Sequence, residues 1–454
     1  MDKTFIIGLD VGTTTAKAGA FTSDGCLIKE SEIRYVDRGD PGSWWQALVK
    51  AAAEVVPQKE THGDIVGISV GSQGPSLVAL GEDQEVLCPA LMWNDLRARA
   101  EAEKLSAELG RFVNPAWFVP KAMWLQNHHP EIYSRTRWLL QAMDYAALKL
   151  TGNTTAGMVS SAIAAWSDKE VSASGLDSSK FPPVLNMVEP VGEVTHEASR
   201  ITGLPPGIPV FSGAPDFIES ILGTATVEKG LVCDKAGTSE GVELCWDKPL
   251  PGFFCAPHPV SAGLWHVGVS IASTGLCLDW LASILGVSVQ EAVDLARESP
   301  PGSNGLVFMP HLAEERSSLF SGAKGGFYNL SQDHGRPDLS RSVMEGCAMA
   351  IYRALLTMHE GGAEVLEIRT TGGQSRSDLW NQTKADVTGL RIMRTEAIHS
   401  EVTGAAAIAA NGAGLYPDLK AASLGMARFS KRYMPCHPDA YNLIRALTGE
   451  IYNL

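Results

Sequence analysis

Asp216 is a carboxylate whose surroundings set it apart from the other acidic residues of the chain. It lies in the stretch SGAPDFIESILGTA (212–225), directly after Pro215 and just ahead of an apolar run that begins at Ile218. A carboxylate at such a break is typical of a helix N-cap, because Asp accepts hydrogen bonds from free backbone N–H groups there. The alternative is a general base that orients a hydroxyl for attack, and the segment by itself favours the cap. The segment alone leaves both interpretations open.

A second group of polar residues follows the first strand. The stretch LDVGTTTAKAGAF (9–21) places Thr13 and Thr14 in a glycine-containing turn between two β-prone segments. Successive backbone N–H groups and hydroxyls in such a turn form a nest that suits phosphate oxygens. Asp10 would hold Mg²⁺, which favours one or two carboxylates together with water and phosphate, and Lys17 would add a positive charge. A structural hairpin without a ligand is the alternative.

Two further glycine turns repeat this chemistry. KAGTSEG (235–241) contains Gly237 and Thr238, and TTGGQSRSDLW (370–380) leads from a strand into a helix. Helix N-termini and tight turns bind anions through free N–H groups. Each turn by itself has an ordinary structural explanation, but three such turns in one chain favour a phosphate-binding protein.

The familiar nucleotide and hydrolase motifs are missing or out of context. The sequence contains no Gly-Lys dipeptide, hence no Walker A loop, and no G-x-G-x-x-G follows a strand. The pattern G-x-S-x-G occurs at 67–71 and 237–241. A nucleophile elbow needs a strand, a sharp turn and then a helix, and a strand-like run follows both patterns. A serine hydrolase stays as a disfavoured alternative, which ATP-insensitive turnover of esters would support.

The elements that position these turns alternate between strand and helix, which predicts an α/β fold. A hairpin at 231–246 repeats the design of the first one, so we expect two structurally related halves. Helices are predicted from Asn94 or Asp95 onward, over 339–360, and over the Ala-rich 402–414, which we expect to be the last helix. The Pro-rich segment 178–194 is predicted to be a loop.

Composition narrows the class of protein. The chain has 454 residues, 45% of them hydrophobic and 19% charged, as in a globular protein of two or three domains. Its net charge of −14 argues against nucleic acid or an anionic membrane as partner. We find no apolar run near the ~18 residues of a membrane span, no signal-peptide pattern and no C-x-x-C pair. We therefore expect a cytoplasmic protein with reduced cysteines.

Taken together, the motifs resemble those of one family. IIGLDVGTTTAKAGAF resembles its first phosphate motif, AGTSEG its second, and TTGGQSRSDLWNQTKADVTG its adenosine motif. VGISVGSQGPSLVALGEDQEVLCPALMWNDLRA resembles the segment with Gln73 and a Trp-Asn-Asp-x-Arg signature. FMPHLAEER and LSRSVMEGCAMAIYRAL resemble its C-terminal domain. Over nearly its whole length the chain is similar to the FGGY carbohydrate kinases, in the actin-like ATPase superfamily.

The resemblance implies a fold and an activity. The fold is α/β, with two actin-like or ribonuclease H-like ATPase domains, each a mixed β-sheet flanked by helices, and an interdomain cleft. Residues 1–245 would form the sugar side and 246–454 the nucleotide side. The implied reaction transfers the γ-phosphate of ATP, with Mg²⁺, to a hydroxyl of a small sugar, a ketose such as a pentulose or a polyol. A non-catalytic sugar- or nucleotide-binding regulator is the alternative, and a homodimer is left open.

The resemblance also implies roles for residues that match the family motifs. Asp216 would be the base that accepts the proton of the sugar hydroxyl, and Asp10 with Asp216 would place Mg²⁺. The implied nucleotide and phosphate contacts are Thr13, Thr14, Lys17, Gly237, Thr238, Gly275, Gly373 and Ser377. The implied sugar contacts are Gln73, Trp93, Asp216 and Phe217. Trp44 and Trp45 are weighed as sugar residues as well, and core packing is the favoured role for these two and for Trp93.

Three departures from the family pattern bear on the sugar. Gly74 and Pro75 stand where xylulose kinases have Met-His and glycerol kinases have Arg-Glu, and neither can bind a hydroxyl through its side chain. Phe217 replaces the usual Asn or Gln beside the base. AEER, which contains Glu315, replaces Gly-Glu-Arg. These changes disfavour glycerol and leave D-xylulose open.

Overall fold

The computed structural model describes residues 3–57, 63–315 and 317–452. The chain divides into two compact units. Unit 1 comprises Met1–Gly223 and Glu401–Met426, and unit 2 comprises Thr224–Ser400 and Ala427–Leu454. Each unit is thus assembled from two stretches of the chain. The boundary expected after residue 245 falls inside a strand of unit 2, Glu240–Trp246.

Unit 1 contains most of the chain's amino-terminal half. Its strands are β1 (Lys3–Val11), β2 (Thr15–Thr22), β3 (Leu27–Arg34), β4 (Gly63–Ser72), β5 (Val78–Leu80), β6 (Trp138–Leu140), β7 (Ala156–Met158), β8 (Val184–Asn186), β9 (Pro190–Glu193) and β10 (Pro209–Pro215). Its helices are α1 (Pro41–Val55), α2 (Arg99–Leu109), α3 (Phe118–His128), α4 (Pro130–Arg135), α5 (Ala142–Thr151), α6 (Asp168–Ser174), α7 (His196–Thr202), α8 (Asp216–Gly223), α13 (Ser400–Gly412) from Glu401 onward, and α14 (Leu419–Met426).

A mixed sheet forms the centre of unit 1. In the described part of the unit its strands run in the order β3-β2-β1-β4-β10-β9. β1 pairs antiparallel with β2 and parallel with β4, and β10 continues parallel to β4. Side chains of a strand alternate between the two faces of its sheet. Phe5, Ile7 and Leu9 therefore join one apolar core with Trp44 of α1, and Asp10 lies on the opposite face.

Helix α13 packs against that opposite face through small residues. A Cβ added at Gly8 of β1 would overlap the backbone carbonyl of Val402, and one added at Gly404 would overlap the backbone of Glu219 in α8. Glycine permits such a close approach because it has no side chain. The Ala-rich helix expected from the sequence is therefore confirmed, and its composition is explained by these contacts.

Unit 2 contains the remaining elements. Its strands are β11 (Leu231–Ala236), β12 (Glu240–Trp246), β13 (Phe254–Pro257), β14 (Trp265–Ile271), β15 (Val307–Met309), β16 (Gly326–Tyr328), β17 (Glu367–Thr371), β18 (Ile392–Thr395) and β19 (Phe429–Tyr433). Its helices are α9 (Gly275–Leu285), α10 (Val289–Glu298), α11 (Arg336–Glu360), α12 (Asp378–Thr388) and α15 (Asn442–Tyr452).

The sheet of unit 2 repeats the plan of unit 1. Its described strands run in the order β13-β14-β12-β11-β17-β18-β19. The first strand of the hairpin, β11, pairs antiparallel with β12 and parallel with β17, as β1 does with β2 and β4. β18 is then parallel to β17, as β10 is to β4. The expectation of two related α/β halves, each opening with a hairpin, is confirmed.

Three local expectations are wrong. The Pro-rich segment contains β8 and β9, and β9 joins the main sheet as an edge strand, where a proline such as Pro190 costs no ladder hydrogen bond. The Ala-rich helix is not the last, since α14 and α15 follow it. Helix α2 begins at Arg99 rather than at Asn94 or Asp95, because the Asp95 carboxylate instead accepts hydrogen bonds from Arg97.

Two absences concern the described residues only. There, no single helix is long and apolar enough to cross a membrane, although the bent pair α9 and α10, with 90° between its helices, passes that test by length and composition. All eight cysteines lie in the described ranges, and none is in a disulfide.

Candidate active site

A buried ammonium between carboxylates marks the carboxyl end of β1. Asp10 is the register partner of Lys17 across the first hairpin. Lys17 Nζ lies 3.3 Å from Asp10 Oδ2 and pairs with Glu401 at the start of α13. Burial alone would lower the pKa of Lys17, but the charges of Glu401 and Asp10 outweigh it and raise that pKa above its ordinary value. Lys17 is therefore a permanent cation within an acidic cluster.

Asp216 lies beside this cluster. It directly follows β10, which ends at Pro215, and is the first residue of α8. The residue is partly exposed. Its negative charge contributes to raising the pKa of Lys17 and that of Glu219, one turn further along α8. Asp10 and Asp216, predicted from sequence as a pair, thus act on the same lysine.

Glu219 is a member of the cluster that the sequence analysis did not identify. It is fully buried, and its Oε1 accepts a hydrogen bond from the Ala214 backbone N–H at 3.4 Å. Burial and the charge of Asp10 raise its pKa well above the ordinary value. A Cβ at Gly71 would overlap its carboxyl group, so β4 leaves room for this side chain. The sequence signal was a Glu on the otherwise apolar face of α8.

The turn between β1 and β2 is held from two sides. Tyr35 donates its hydroxyl to the carbonyl oxygens of Gly12 at 3.1 Å and Thr15 at 2.7 Å. Trp93 Nε1 donates to Thr13 Oγ1 at 3.1 Å. Thr13 and Thr14 are both partly exposed. The turn is thus fixed in place while its polar groups keep access to solvent.

Gln73 and Trp93, the predicted sugar residues, lie on two loops that contact each other. The first loop follows β4, where Gln73 N–H donates to Val11 O at 2.9 Å. The second is tied to it because the Trp93 backbone N–H donates to Ser76 Oγ at 3.1 Å. Gln73 Nε2 lies 3.9 Å from Met92 Sδ, and its Oε1 is buried with no hydrogen-bond partner among the described residues.

The other aromatic candidates differ in environment. Phe217 directly follows Asp216 and is partly exposed. Trp44 is buried in the core of unit 1, where its Nε1 donates to Arg38 O at 2.8 Å. Trp45 packs against the same core. The preference for core packing is therefore confirmed for the two neighbouring tryptophans.

The hairpin that opens unit 2, between β11 and β12, meets the start of α9. Gly275 N–H donates to Gly237 O at 3.2 Å, and Thr274 N–H donates to Thr238 O at 3.2 Å. A Cβ added at Gly275 would come within 2.5 Å of Gly237 O. The structure thus brings together Gly237, Thr238 and Gly275, and it explains why the third of them is glycine.

The third glycine turn is joined to the same place by Gln374. Its Nε2 donates to Gly237 O at 2.7 Å and to Thr274 Oγ1 at 2.8 Å. Gly373 precedes it, and Ser377 caps α12 by accepting from the Trp380 N–H at 3.3 Å. Gln374 is a second residue that the sequence analysis missed. It lies within the predicted motif, but only the fold shows that it faces the hairpin.

A buried ion cluster supports this hairpin. Lys384 of α12 lies 2.6 Å from Asp234 Oδ2 on β11 and pairs with Glu240 on β12. Thr370 Oγ1 donates to the same Asp234 oxygen at 2.9 Å. Burial and the charge of Asp234 raise the pKa of Glu240 well above its ordinary value. Each unit therefore places a buried lysine between carboxylates next to its hairpin.

The described residues contain no group of three His, Cys, Asp or Glu side chains placed to hold a metal ion by themselves. The acidic cluster of unit 1 offers hard carboxylate oxygens at one end of the sheet. This donor chemistry fits Mg²⁺, which typically keeps water and substrate phosphate among its ligands.

Comparison with known proteins identifies the family. The N-terminal domain of the FGGY family of carbohydrate kinases matches residues 5–223, and the C-terminal domain of the same family matches residues 235–413. The chain belongs to the FGGY family of carbohydrate kinases. This FGGY kinase is therefore a phosphotransferase, as the sequence motifs predicted.

The relatives that this chain resembles include xylulose kinases and gluconokinases. The FGGY kinase is 26% identical to the xylulose kinase of Bacillus subtilis (strain 168) over 472 residues, which cover 97% of this chain and 94% of that relative. It is also 26% identical to the gluconokinase of Bacillus licheniformis over 507 residues, which cover 98% of this chain and 96% of that relative.

Solved structures show the same fold. A ligand-bound xylulose kinase from Lactobacillus acidophilus matches with a TM-score of 0.82 and 23% identity, covering 99% of this FGGY kinase and 96% of that chain. The two-unit α/β architecture is that of the actin-like ATPases, which confirms the predicted fold class.

Proposed function

We propose that this kinase transfers the γ-phosphate of ATP to a hydroxyl of a small sugar, a ketose such as a pentulose or a polyol, with Asp216 as general base. The observation that carries the proposal is the position of Asp216. It is a partly exposed carboxylate at a strand–helix junction, directly beside the buried cluster of Asp10, Lys17 and Glu401.

A base at this position needs only to accept a hydrogen bond from the attacking hydroxyl. Phosphoryl transfer depends mainly on alignment and on charge stabilisation, and a carboxylate orients the nucleophile. The positive charge of Lys17 offsets the repulsion between the carboxylates of Asp10 and Glu401.

The first hairpin supports a role in binding the transferred phosphate. Thr13 and Thr14 present hydroxyls and N–H groups in a turn, with the ammonium of Lys17 at its base. Asp10 and Asp216 would hold Mg²⁺, which supplies positive charge to the phosphate oxygens when it is bound. We assign Lys17 to balancing the charge of this acidic cluster as well as to the phosphate.

Unit 2 supports the nucleotide side. Gly237, Thr238 and Gly275 form one backbone cluster whose small residues allow a phosphate chain to approach. Gly373 and Ser377 belong to the turn that Gln374 ties to this cluster. We propose that these residues bind ATP, with the α12 N-terminus near the nucleoside.

The sugar side combines Gln73, Trp93 and Phe217 with Asp216. The buried Gln73 Oε1 without a partner among the described residues supports a polar contact to the sugar. Trp93 Nε1 is already used by Thr13, so the indole would contribute its ring face. Phe217 adds a second ring beside the base, and Gly74 and Pro75 add no side-chain hydrogen-bond donor.

The relatives suggest the first acceptors for a test. D-xylulose and gluconate, named by the relatives, are compared with other ketopentoses, ketohexoses, deoxyketoses and polyols by ADP release in a coupled assay. Asp216→Asn is measured in parallel on each active acceptor. We expect one preferred sugar, with kcat lowered by about 10²–10⁴-fold in the variant and the KM for ATP little changed.

Two outcomes would contradict parts of this proposal. Activity of Asp216→Asn equal to that of the natural protein would remove Asp216 as the base. Sugar and nucleotide binding, seen by calorimetry, without ADP release from any acceptor would instead indicate a regulator that keeps the fold.

A further inference from the structure

Lys121 is a buried cation that the proposed chemistry does not use. It lies on α3 with 1% of its surface exposed. Its ammonium donates to three backbone carbonyl oxygens, those of Leu91 at 3.3 Å, Met92 at 3.1 Å and Pro75. No residue of the phosphate turn or of the acidic cluster takes part in these contacts.

The three carbonyls belong to the two loops that carry the proposed sugar residues. Pro75 lies in the loop 73–76, which begins with Gln73, and Met92 immediately precedes Trp93. Leu77 and Leu91 exchange backbone hydrogen bonds at 2.9 Å in both directions, so the loops also meet at their bases. Lys121 lies on the side of the loops that faces the protein interior.

The chemistry of the contact suits a lysine and few other side chains. A protonated amine has three N–H donors, and three carbonyl acceptors surround it here. Burial lowers the pKa of Lys121 to about 7, while the charge of Asp95 acts in the opposite direction. Removing the ammonium would take the lysine donor from Pro75 O, while Leu91 O and Met92 O would keep the Leu77 and Asp95 N–H groups as donors. The two loops would lose the one side chain that hydrogen-bonds to both, at the cost of a buried hydrogen bond.

We propose that Lys121 is a positioning residue for sugar binding, which holds the loop 73–76 against the loop 91–93 so that Gln73 and Trp93 keep the spacing that the sugar requires. The inference rests on the proposed sugar role of those two residues. Lys121 itself touches no substrate, because it is enclosed by the loops and by α3. Its effect on the reaction is therefore on the affinity for the acceptor.

The test compares Lys121→Met with a matched lysine in the same unit. Lys180 also donates to a backbone carbonyl, that of Thr136, and its ammonium lies 5.0 Å from the centroid of the Tyr133 ring. Among the described residues, it forms no hydrogen bond with either loop. Lys121→Met and Lys180→Met therefore both remove lysine–carbonyl hydrogen bonds, three in the first variant and one in the second, but only the first variant concerns the sugar loops.

In Lys121→Met we expect the KM for the preferred acceptor to rise about tenfold or more, with kcat and the KM for ATP within about threefold, since displaced binding groups cost binding energy. Lys180→Met should keep all three constants. An equal loss of kcat and of affinity for both substrates, in parallel with a lowered Tm, would show a purely structural role and overturn the proposal.

A second measurement does not depend on catalysis. Amide hydrogen exchange is followed by mass spectrometry in peptides covering 73–77 and 90–95 of the full-length protein. We expect the amides of these peptides to exchange faster in Lys121→Met than in the natural protein, because the loops lose their anchor. In Lys180→Met the exchange rates should equal those of the natural protein. Unchanged exchange would overturn the inference, whereas failure of Asp216→Asn to lose activity would affect only the proposed base.

Discussion

Trp93 Nε1 donates a hydrogen bond to Thr13 Oγ1 at 3.1 Å, and this bond joins a residue of the proposed sugar site to the phosphate turn of the first hairpin. The two residues are 80 positions apart in sequence. The bond holds the edge of the indole against the Thr13 hydroxyl. A movement of the turn relative to the loop 91–93 would therefore break this hydrogen bond. We therefore expect the proposed acceptor and phosphate positions in unit 1 to be coupled.

The first prediction is a double-mutant cycle on this pair. Trp93→Phe and Thr13→Val each remove the hydrogen bond, and we expect each to lower kcat/KM for the acceptor by about 3–30-fold. The double variant should lose less than the sum, with a coupling of about 0.5–1.5 kcal/mol. Steady-state kinetics measure it. Trp44→Phe, which loses a similar bond in the core, should keep kcat/KM, and strict additivity would refute the coupling.

The second prediction concerns the buried cluster of unit 2. Lys384→Met leaves Asp234 and Glu240 without their cation, and removing one member of a buried ion pair typically costs about 3–5 kcal/mol of unfolding free energy. Lys431→Met is the control, because Lys431 forms an exposed pair with Asp378 at 2.8 Å, which is worth less than about 1 kcal/mol. Denaturant titration compares them. If both variants lost a similar amount of unfolding free energy, burial would not account for the contribution of Lys384.

The third prediction uses the close approach of two helices. A Cβ at Gly404 would overlap the backbone of Glu219 in α8, so Gly404→Ala should lower stability by about 1–3 kcal/mol. It should also lower kcat, because α8 begins with Asp216. Gly449 of α15 has space for a Cβ among the described residues, so Gly449→Ala should raise stability by up to about 1 kcal/mol. Thermal unfolding measures the stability of both variants, and steady-state kinetics measure kcat. Unchanged stability in Gly404→Ala would contradict the close packing of α13 against α8.

The fourth prediction is a pH dependence of stability at Asp144. Its oxygens accept the Gly157 N–H at 2.8 Å and the Gln141 N–H at 3.0 Å. Burial raises its pKa from 3.8 to about 6, against the effect of these bonds. The unfolded chain therefore ionises first as the pH rises, and the stability that the neutral carboxyl confers is lost between about pH 4 and pH 6. The loss is on the order of 3 kcal/mol.

The measurement is the unfolding free energy of the natural protein minus that of Asp144→Asn at several pH values from about 4 to 8. The difference should fall up to about pH 6 and then stay level. Asp177 serves as the control, since hydrogen bonds from Ser179 lower the pKa of this exposed carboxyl. Its difference against Asp177→Asn should be level over the same range, and a level curve for Asp144 would contradict the raised pKa.

Local patterns predicted much of this fold. The strand–turn–strand at the first hairpin, its repeat at 231–246 and the long helix α11 follow from apolar periodicity and turn residues, which act over a few positions. Edge strand β9 was missed because it begins with a proline in a Pro-rich segment, and prolines indicate turns in most contexts. Only the pairing with β10, set by the whole sheet, makes it a strand.

The candidate site was predicted where one motif contains the residues, and missed where distant segments meet. Thr13, Gly237 and Asp216 lie in recognisable stretches. Glu401 is 384 positions from Lys17, and nothing in the local sequence of either residue indicates the other. Lys121 was missed for a different reason. On sequence it is one polar residue of a helix, and only the fold shows the three carbonyls around it.

The division of unit 1 into two stretches of chain has a consequence for biosynthesis. Residues 1–223 leave the ribosome long before α13 and α14, which supply the face that covers Gly8 and the partner of Lys17. All of unit 2 up to Ser400 is translated in between. A nascent chain that stops before α13 therefore lacks the helix that covers Gly8 and the Glu401 partner of Lys17. Unit 1 is completed only near the end of translation, and premature termination yields chains that chaperones and proteases can recognise by their exposed apolar surface.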